Sequence, residues 1–130
     1  MSAAPLTPRS VVAARLRQAR QLRSLSQRQV GVRMGLDKET ASARISRYES
    51  ETMAISLESL FELARALDVP AAYLLATTPA MADAILSLGR ESETQQESLS
   101  AVLAALTKLP ASQRKVLVKD FVEGILSREA

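Results

Sequence analysis

The segment LSQRQVGVRMGLDKETASARISRYE, residues 25–49, decides the fold. Ser26 and Gln29 have the spacing of a capping box, in which each side chain accepts a hydrogen bond from the other residue's backbone N–H at a helix start. Gly35 is predicted to end this helix, because glycine readily adopts the left-handed conformation found after helix C-termini. Asp37 is a good N-cap for a next helix over about 38–49. Two short helices joined by a glycine turn predict a helix-turn-helix.

The helix predicted for residues 38–49 has two unlike sides. At about 100° per residue, Ala41, Ile45 and Tyr48 fall together, which predicts that this side is buried. The other side is predicted to be exposed and to carry Glu39, Thr40, Ala43, Ser46 and Arg47, with Ser42 and Arg44 on its flanks. A polar, protruding helix of this kind is what a major groove about 12 Å wide admits.

Charge is unevenly distributed along the 130-residue chain. Between Arg9 and Arg47 there are ten basic residues and two acidic ones, a local net charge of +8, whereas the remainder has seven basic and twelve acidic residues, a net charge of −5. A basic block of this size favours a polyanion partner, because cations that neutralise phosphates release bound counterions.

Apolar residues at helical spacing continue to the end of the chain, with few aromatic or β-branched runs, so an all-α fold is expected. Thr77-Thr78-Pro79 breaks this pattern. We therefore expect a flexible N-terminal arm at 1–8, a five-helix DNA-binding domain at 9–76, a linker at 77–80, and two or three helices at 81–130 that serve dimerisation or another protein interaction.

Composition argues against several classes of function. The chain has no Cys and no His, which removes the usual nucleophile and base pairs and the common transition-metal ligands. We therefore expect no enzyme, no cofactor and no metal. Nothing resembles a secretory signal or a membrane span, so a cytoplasmic protein without membrane contact is expected.

Many residues at fixed spacing over about 10–76 resemble the lambda-repressor-like, XRE-type helix-turn-helix family. They are Val12, Leu16, Leu25-Ser26-Gln27, Val30-Gly31, Met34-Gly35-Leu36, Ile45-Ser46-Arg47-Tyr48-Glu49, Leu57, Leu60, Leu63-Ala64, Ala66-Leu67 and Val69. The resemblance implies a five-helix fold that binds double-stranded DNA.

The resemblance also implies roles for individual residues. Ser26 and Gln27 match positions that hold a DNA phosphate, and Arg20 and Glu49 match a structural pair bracing the first helix against the third. We add Arg28 and Lys38 as further phosphate candidates. The candidates for base contact are Thr40, Ser42, Ala43, Arg44, Ser46 and Arg47, of which Arg47 is best suited to a guanine edge.

Two features depart from the family pattern. The stretch between Gly35 and Ile45 is longer than usual, which predicts an extra N-terminal turn on the third helix. Ser24 and Glu51 stand where the family often has glycine, which predicts either strained backbone at a cost of about 1 kcal/mol each or different turns.

These observations favour a transcriptional regulator, expected to be a repressor that binds a two-half-site operator as a homodimer. Two alternatives stay open. One is an antitoxin-type autorepressor that also binds a partner protein, and the other is a protein-interaction adaptor that has lost DNA binding.

Overall fold

The computed structural model describes residues 6–129, and no strand occurs in this range. The predicted all-α fold is therefore confirmed, with five helical segments up to Leu75 and three more beyond it. In chain order they are α1 (Pro8–Leu22), α2 (Gln27–Arg33), α3 (Lys38–Glu49), α4 (Leu57–Leu67), a 3-10 helix (Ala71–Leu75), α5 (Pro79–Gly89), α6 (Glu93–Thr107) and α7 (Ala111–Glu129).

The helix starts follow the sequence closely. The Ser26 hydroxyl accepts from the Gln29 N–H at 3.0 Å, and the Gln29 side chain accepts from the Ser26 N–H at 2.8 Å, so the capping box is confirmed. Thr7 caps α1, which begins at Pro8 and so inside the range expected to be a flexible arm. Residues 1–5 of that arm lie outside the described residues.

Four helices end in the same left-handed turn. The residues with positive φ are Ser24 (55°), Gly35 (92°), Glu51 (66°) and Asp68 (53°). At Ser24, for example, the next N–H, that of Leu25, donates back to the Arg20 carbonyl at 2.9 Å. This is the Schellman arrangement, which satisfies carbonyls at a helix C-terminus. The strained backbone predicted at Ser24 and Glu51 is confirmed.

The core of the N-terminal domain draws on every one of its helices. Six large side chains are fully buried: Leu16, Val30, Ile45, Leu63, Leu67 and Leu74. Because each helix contributes at least one of them, α2 and α3 are fixed on a packed base and their outer sides are left to solvent.

The chain divides into two compact units after Arg90 rather than at the expected linker, 77–80. Thr78 is the N-cap of α5 and Pro79 is its first residue, so the residues that suggested a break begin a helix. Ala82 of α5 is buried in the core of the first unit. A Cβ on Gly89 would collide with the Pro70 side chain, so α5 lies close against this unit.

One arginine is buried in the first unit without a carboxylate partner. Arg15 donates from Nε to the Ala76 carbonyl at 2.8 Å and from Nη1 to Gln18 Oε1 at 2.7 Å. Burial raises the pKa of the Tyr73 hydroxyl above its ordinary 10.0, and the charge of Arg15 acts in the opposite direction. Arg15 thus ties α1 to the segment that leads into α5.

The second unit, from Glu91 onward, consists of α6 and α7. Neither helix contains a buried residue. Within residues 6–129, no helix combines the length and apolar character needed to span a membrane.

Candidate nucleic-acid interface

The two helices of the helix-turn-helix cross in direct backbone contact. A Cβ built on Gly31 of α2 would lie 2.6 Å from the Ala41 Cβ and 2.8 Å from both the Ala41 Cα and its carbonyl oxygen. Real side chains do not approach so closely, so glycine is required at this crossing. The contact fixes the position of α3 relative to α2.

The exposed side of α3 is the one expected from the helical pattern. Ala41, Ile45, Tyr48 and Glu49 are buried. Among the candidates for base contact, Thr40, Ser42, Ala43, Ser46 and Arg47 are exposed, while Arg44 is half-buried on the flank. The structure therefore brings all six candidates onto one helix, and five of them are open to solvent.

Two arginines on this helix carry uncompensated charge. Within the described residues, the ion pairs are Arg20 with Glu49 and Arg17 with Glu49, and the guanidinium groups of Arg44 and Arg47 make no hydrogen bond there. Guanidinium groups free of internal partners can donate two parallel hydrogen bonds to a guanine edge or to a phosphate.

The N-terminal turn of α3 adds charged and polar groups to the same side. Asp37 is the N-cap residue, although its side chain makes no capping hydrogen bond. Lys38 and Glu39 are exposed, and the Thr40 hydroxyl donates to the Asp37 carbonyl at 3.3 Å. The helix α3 has twelve residues and begins at Lys38.

Two phosphate candidates at the start of α2 have internal roles. The Ser26 hydroxyl is the α2 cap, and the Gln27 amide donates from Nε2 to Glu49 Oε2 at 2.6 Å. Arg28 is exposed. The first N–H groups of α2, those of Gln27 and Arg28, have no acceptor within the helix. Backbone groups and Arg28 are therefore freer to meet a phosphate than the two capping-region side chains.

A single buried carboxylate joins three helices. Glu49, at the end of α3 and 5% exposed, accepts from Arg20 Nε and Nη2 at 3.0 and 2.9 Å and from Gln27. Arg20 belongs to α1 and Gln27 to α2. The Arg20 and Glu49 side chains are thus in contact as the family resemblance implied.

Sequence reasoning gave no role to Arg17, which lies beside this carboxylate. Its Nη2 donates to the Glu49 backbone carbonyl at 3.2 Å, and its side chain is still 52% exposed. The sequence feature that could have indicated this role is the spacing of three residues between Arg17 and Arg20, which places both arginines on one side of α1. Arg17 adds positive charge at the C-terminal end of α3.

Other arginines of the basic block stabilise the domain instead. Arg23 donates to the carbonyls of Leu67 and Asp68 at 3.0 and 2.7 Å, and Arg33 donates to the Ala66 carbonyl at 3.3 Å. These carbonyls belong to the C-terminus of α4, where cations interact favourably with the helix dipole. The net charge of the segment therefore overstates the number of cations free to meet DNA.

Comparison with known proteins identifies the fold around this surface. Residues 16–74 match the helix-turn-helix family model. Among solved structures, that of the transcriptional regulator BswR is similar over 78% of this chain and 97% of that one, with 32% sequence identity and a TM-score of 0.66. A search of curated proteins gave no match. In the described part of the chain, no three acidic, His or Cys side chains are grouped to hold a metal ion. This chain therefore belongs to the XRE, or lambda-repressor-like, helix-turn-helix family of DNA-binding transcriptional regulators.

Proposed function

We propose that the protein is a repressor that binds a specific operator as a homodimer, with one α3 in the major groove of each half-site. The observation that carries this proposal is the exposed side of α3, where Arg44 and Arg47 have no internal partner. The Gly31 crossing and the Glu49 carboxylate support it, because they hold this helix in a fixed orientation.

The residue types on α3 suit distinct base edges. Arg47 would donate two hydrogen bonds to O6 and N7 of a guanine, and Arg44 would contact a neighbouring base or phosphate from the flank. The Ala43 methyl and the Thr40 methyl would contact thymine methyl groups. Ser42 and Ser46 would donate to or accept from whichever edge lies opposite them.

Phosphate contacts would set the register of the protein on the duplex. Lys38 and Arg28 are exposed and supply positive charge, and the N–H groups at the start of α2 supply donors. Ser26 and Gln27 would contact a phosphate mainly through backbone groups. The Gln27 side-chain amide donates one of its hydrogens to Glu49, so only its second hydrogen would be available for a phosphate.

A homodimer follows from the limits of one short helix. A single recognition helix reads only a few base pairs, so two half-sites about 10 base pairs apart supply the missing specificity. A dimer bound across a promoter would exclude RNA polymerase, which is the simplest route to repression.

Selection of bound fragments from random double-stranded DNA tests the proposal. We expect an inverted repeat with centres about one helical turn apart, bound with an affinity that falls steeply between low and moderate salt. Failure to bind any duplex at low salt would contradict the proposal and favour a protein-interaction adaptor.

A further inference from the structure

The second unit has apolar side chains but no buried residue. On α7, Leu117 is 50% exposed, Phe121 is 68% exposed and Val122 is 48% exposed, and α6 leaves Val102 and Leu103 more than half exposed. Amphipathic helices in water gain most of their stability from tertiary packing of an apolar side. The two helices of the second unit therefore leave apolar surface that they do not bury against each other.

The apolar sides of the two helices differ in width. On α6, Leu99, Val102, Leu103 and Leu106 form one stripe within about 100° of the helix circumference. On α7 six of the seven large apolar side chains cover about 180°, which is enough for two neighbouring helices, and the seventh, Val116, lies outside this arc. The six are Leu117, Val118, Phe121, Val122, Ile125 and Leu126. One neighbour of α7 is α6, and the described part of the second unit holds no other helix.

The charges on α7 are segregated along its length. Its first half carries Arg114, Lys115 and Lys119 with no acidic residue, and its second half carries Asp120, Glu123 and Glu129 with one cation, Arg128. This order opposes the helix dipole, which favours acidic residues near the N-terminus and basic residues near the C-terminus. The pattern therefore weakens an isolated α7 and calls for compensation from another molecule.

The described part of the second unit does not provide that compensation. In residues 6–129, no charged side chain of α7 takes part in an ion pair. The charged residues of α6 are Glu93 and Glu97, so α6 has no cation to place against the acidic half of α7. A second copy of α7 does have one, provided that it runs in the opposite direction.

We propose that α7 of one chain pairs antiparallel with α7 of a second copy, so that the basic half of each helix faces the acidic half of the other. Parallel pairing would set like charges against each other at both ends. The proposal rests on the homodimer proposed above and specifies its surface and orientation. The wide apolar side of α7 supplies the buried contact, and the segregated charges determine the direction.

Charge reversal in the full-length chain, without DNA, tests the pairing. One variant reverses the basic half (Arg114→Glu, Lys115→Glu, Lys119→Glu), one reverses the acidic half (Asp120→Lys, Glu123→Lys, Glu129→Lys), and a third combines both. Sedimentation should show the dimer Kd raised by about tenfold or more in either half-reversal and returned to within about threefold of the parent in the combined variant. Reversal of Glu58 and Glu62 on α4 to lysine is the matched control and should leave Kd unchanged.

Loss of folding cannot mimic this result. Acidic residues in the first half of α7 suit the helix dipole better than the native basic ones. The variant with the basic half reversed should therefore keep its helical circular dichroism. The combined variant should also fail to exchange subunits with the parent, because the mixed antiparallel pair sets like charges together.

Distances between spin labels report the direction independently. The chain has no Cys, so Ser112→Cys and Ser127→Cys each give a single labelling site near one end of α7. In a mixture of the two singly labelled chains, the separation from 112 to 127 across the dimer should be shorter than either same-site separation by about 10 Å, given a rise of about 1.5 Å per residue.

Contrary outcomes separate this inference from the proposed function. The antiparallel pairing would be overturned if the spin-label distances for the same site and for the mixed sites were equal. It would also be overturned if neither charge half-reversal changed the dimer Kd. Either result would leave the homodimer proposal intact. A chain that sediments as a monomer at all concentrations would contradict both the antiparallel pairing and the homodimer. It would indicate that a different protein covers α7. DNA recognition by α3 would still be judged separately, by its arginine variants.

Discussion

Arg20 donates from both Nε and Nη2 to a single oxygen of Glu49, at 3.0 and 2.9 Å, which leaves the other carboxylate oxygen for the Gln27 amide at 2.6 Å. One carboxylate therefore joins α1, α2 and α3. If α3 contacts bases as proposed, this junction would determine how accurately the helix is oriented, since a base contact depends on angles as well as distances.

Replacing Glu49 by alanine should lower the free energy of unfolding by about 2–4 kcal/mol, because Arg20 and Gln27 lose their acceptor in a largely buried site. Denaturant unfolding of Glu49→Ala, Arg20→Ala and the double variant measures the coupling, expected at about 1–2 kcal/mol. Glu62→Gln on the exposed side of α4 is the control and should change stability by less than about 0.5 kcal/mol. Additive effects of the two alanines would show that the pair is not coupled.

Gly31→Ala should destabilise the domain although alanine favours helix. The new methyl group would lie 2.6–2.8 Å from Ala41 side-chain and backbone atoms, so α2 and α3 would have to separate. We expect a loss of about 1–3 kcal/mol in thermal or denaturant unfolding, and weaker operator binding as well. Val32→Ala, an exposed position in the same helix, should change stability by less than about 0.5 kcal/mol. A more stable Gly31→Ala protein would show that the crossing is looser than described.

Ser24→Gly should stabilise the protein by about 0.5–1 kcal/mol, because glycine accepts the φ of 55° without steric strain. Gly35→Ala, at φ 92° in the equivalent turn after α2, should do the opposite by about 1 kcal/mol or more. Unfolding midpoints that move in the same direction for both variants would contradict the shared turn geometry.

Local patterns in the sequence were sufficient to predict most of the helical domain. The capping box at Ser26, the turn at Gly35 and the bounds of α3 depend on neighbouring residues alone, so they are visible before folding. The strained backbone at Ser24 was predicted because the family often has glycine at this position. The residue type alone would not have predicted it, since serine ordinarily avoids positive φ.

Other features depend on contacts between distant residues. Thr77-Thr78-Pro79 looked like a linker because its composition fits a break, yet Ala82 packs into the core and draws α5 into the first unit. Arg23 and Arg33 could not be separated by sequence from the arginines proposed to face DNA, because their acceptors are carbonyls 33–45 residues away.

Arg28→Ala and Lys38→Ala should weaken binding to all duplexes alike. If each residue contacts one phosphate, as proposed, the slope of log affinity against log salt should become shallower by about 1 for each. Titrations at several salt concentrations, on the selected operator and on an unrelated duplex, measure this slope. Arg90→Ala, an exposed arginine after α5, is the control and should leave the slope unchanged. Loss of discrimination between the two duplexes would instead assign the altered residue to base reading.

The most direct test of the central claim is the affinity of Arg44→Ala/Arg47→Ala for the selected operator, measured beside its affinity for an unrelated duplex. If α3 reads base edges, the double variant should bind the operator about 100-fold or more weakly, and most of its preference over the unrelated duplex should disappear. Unchanged unfolding stability would show that the loss arises at the interface. An operator affinity equal to that of the parent would contradict recognition through α3.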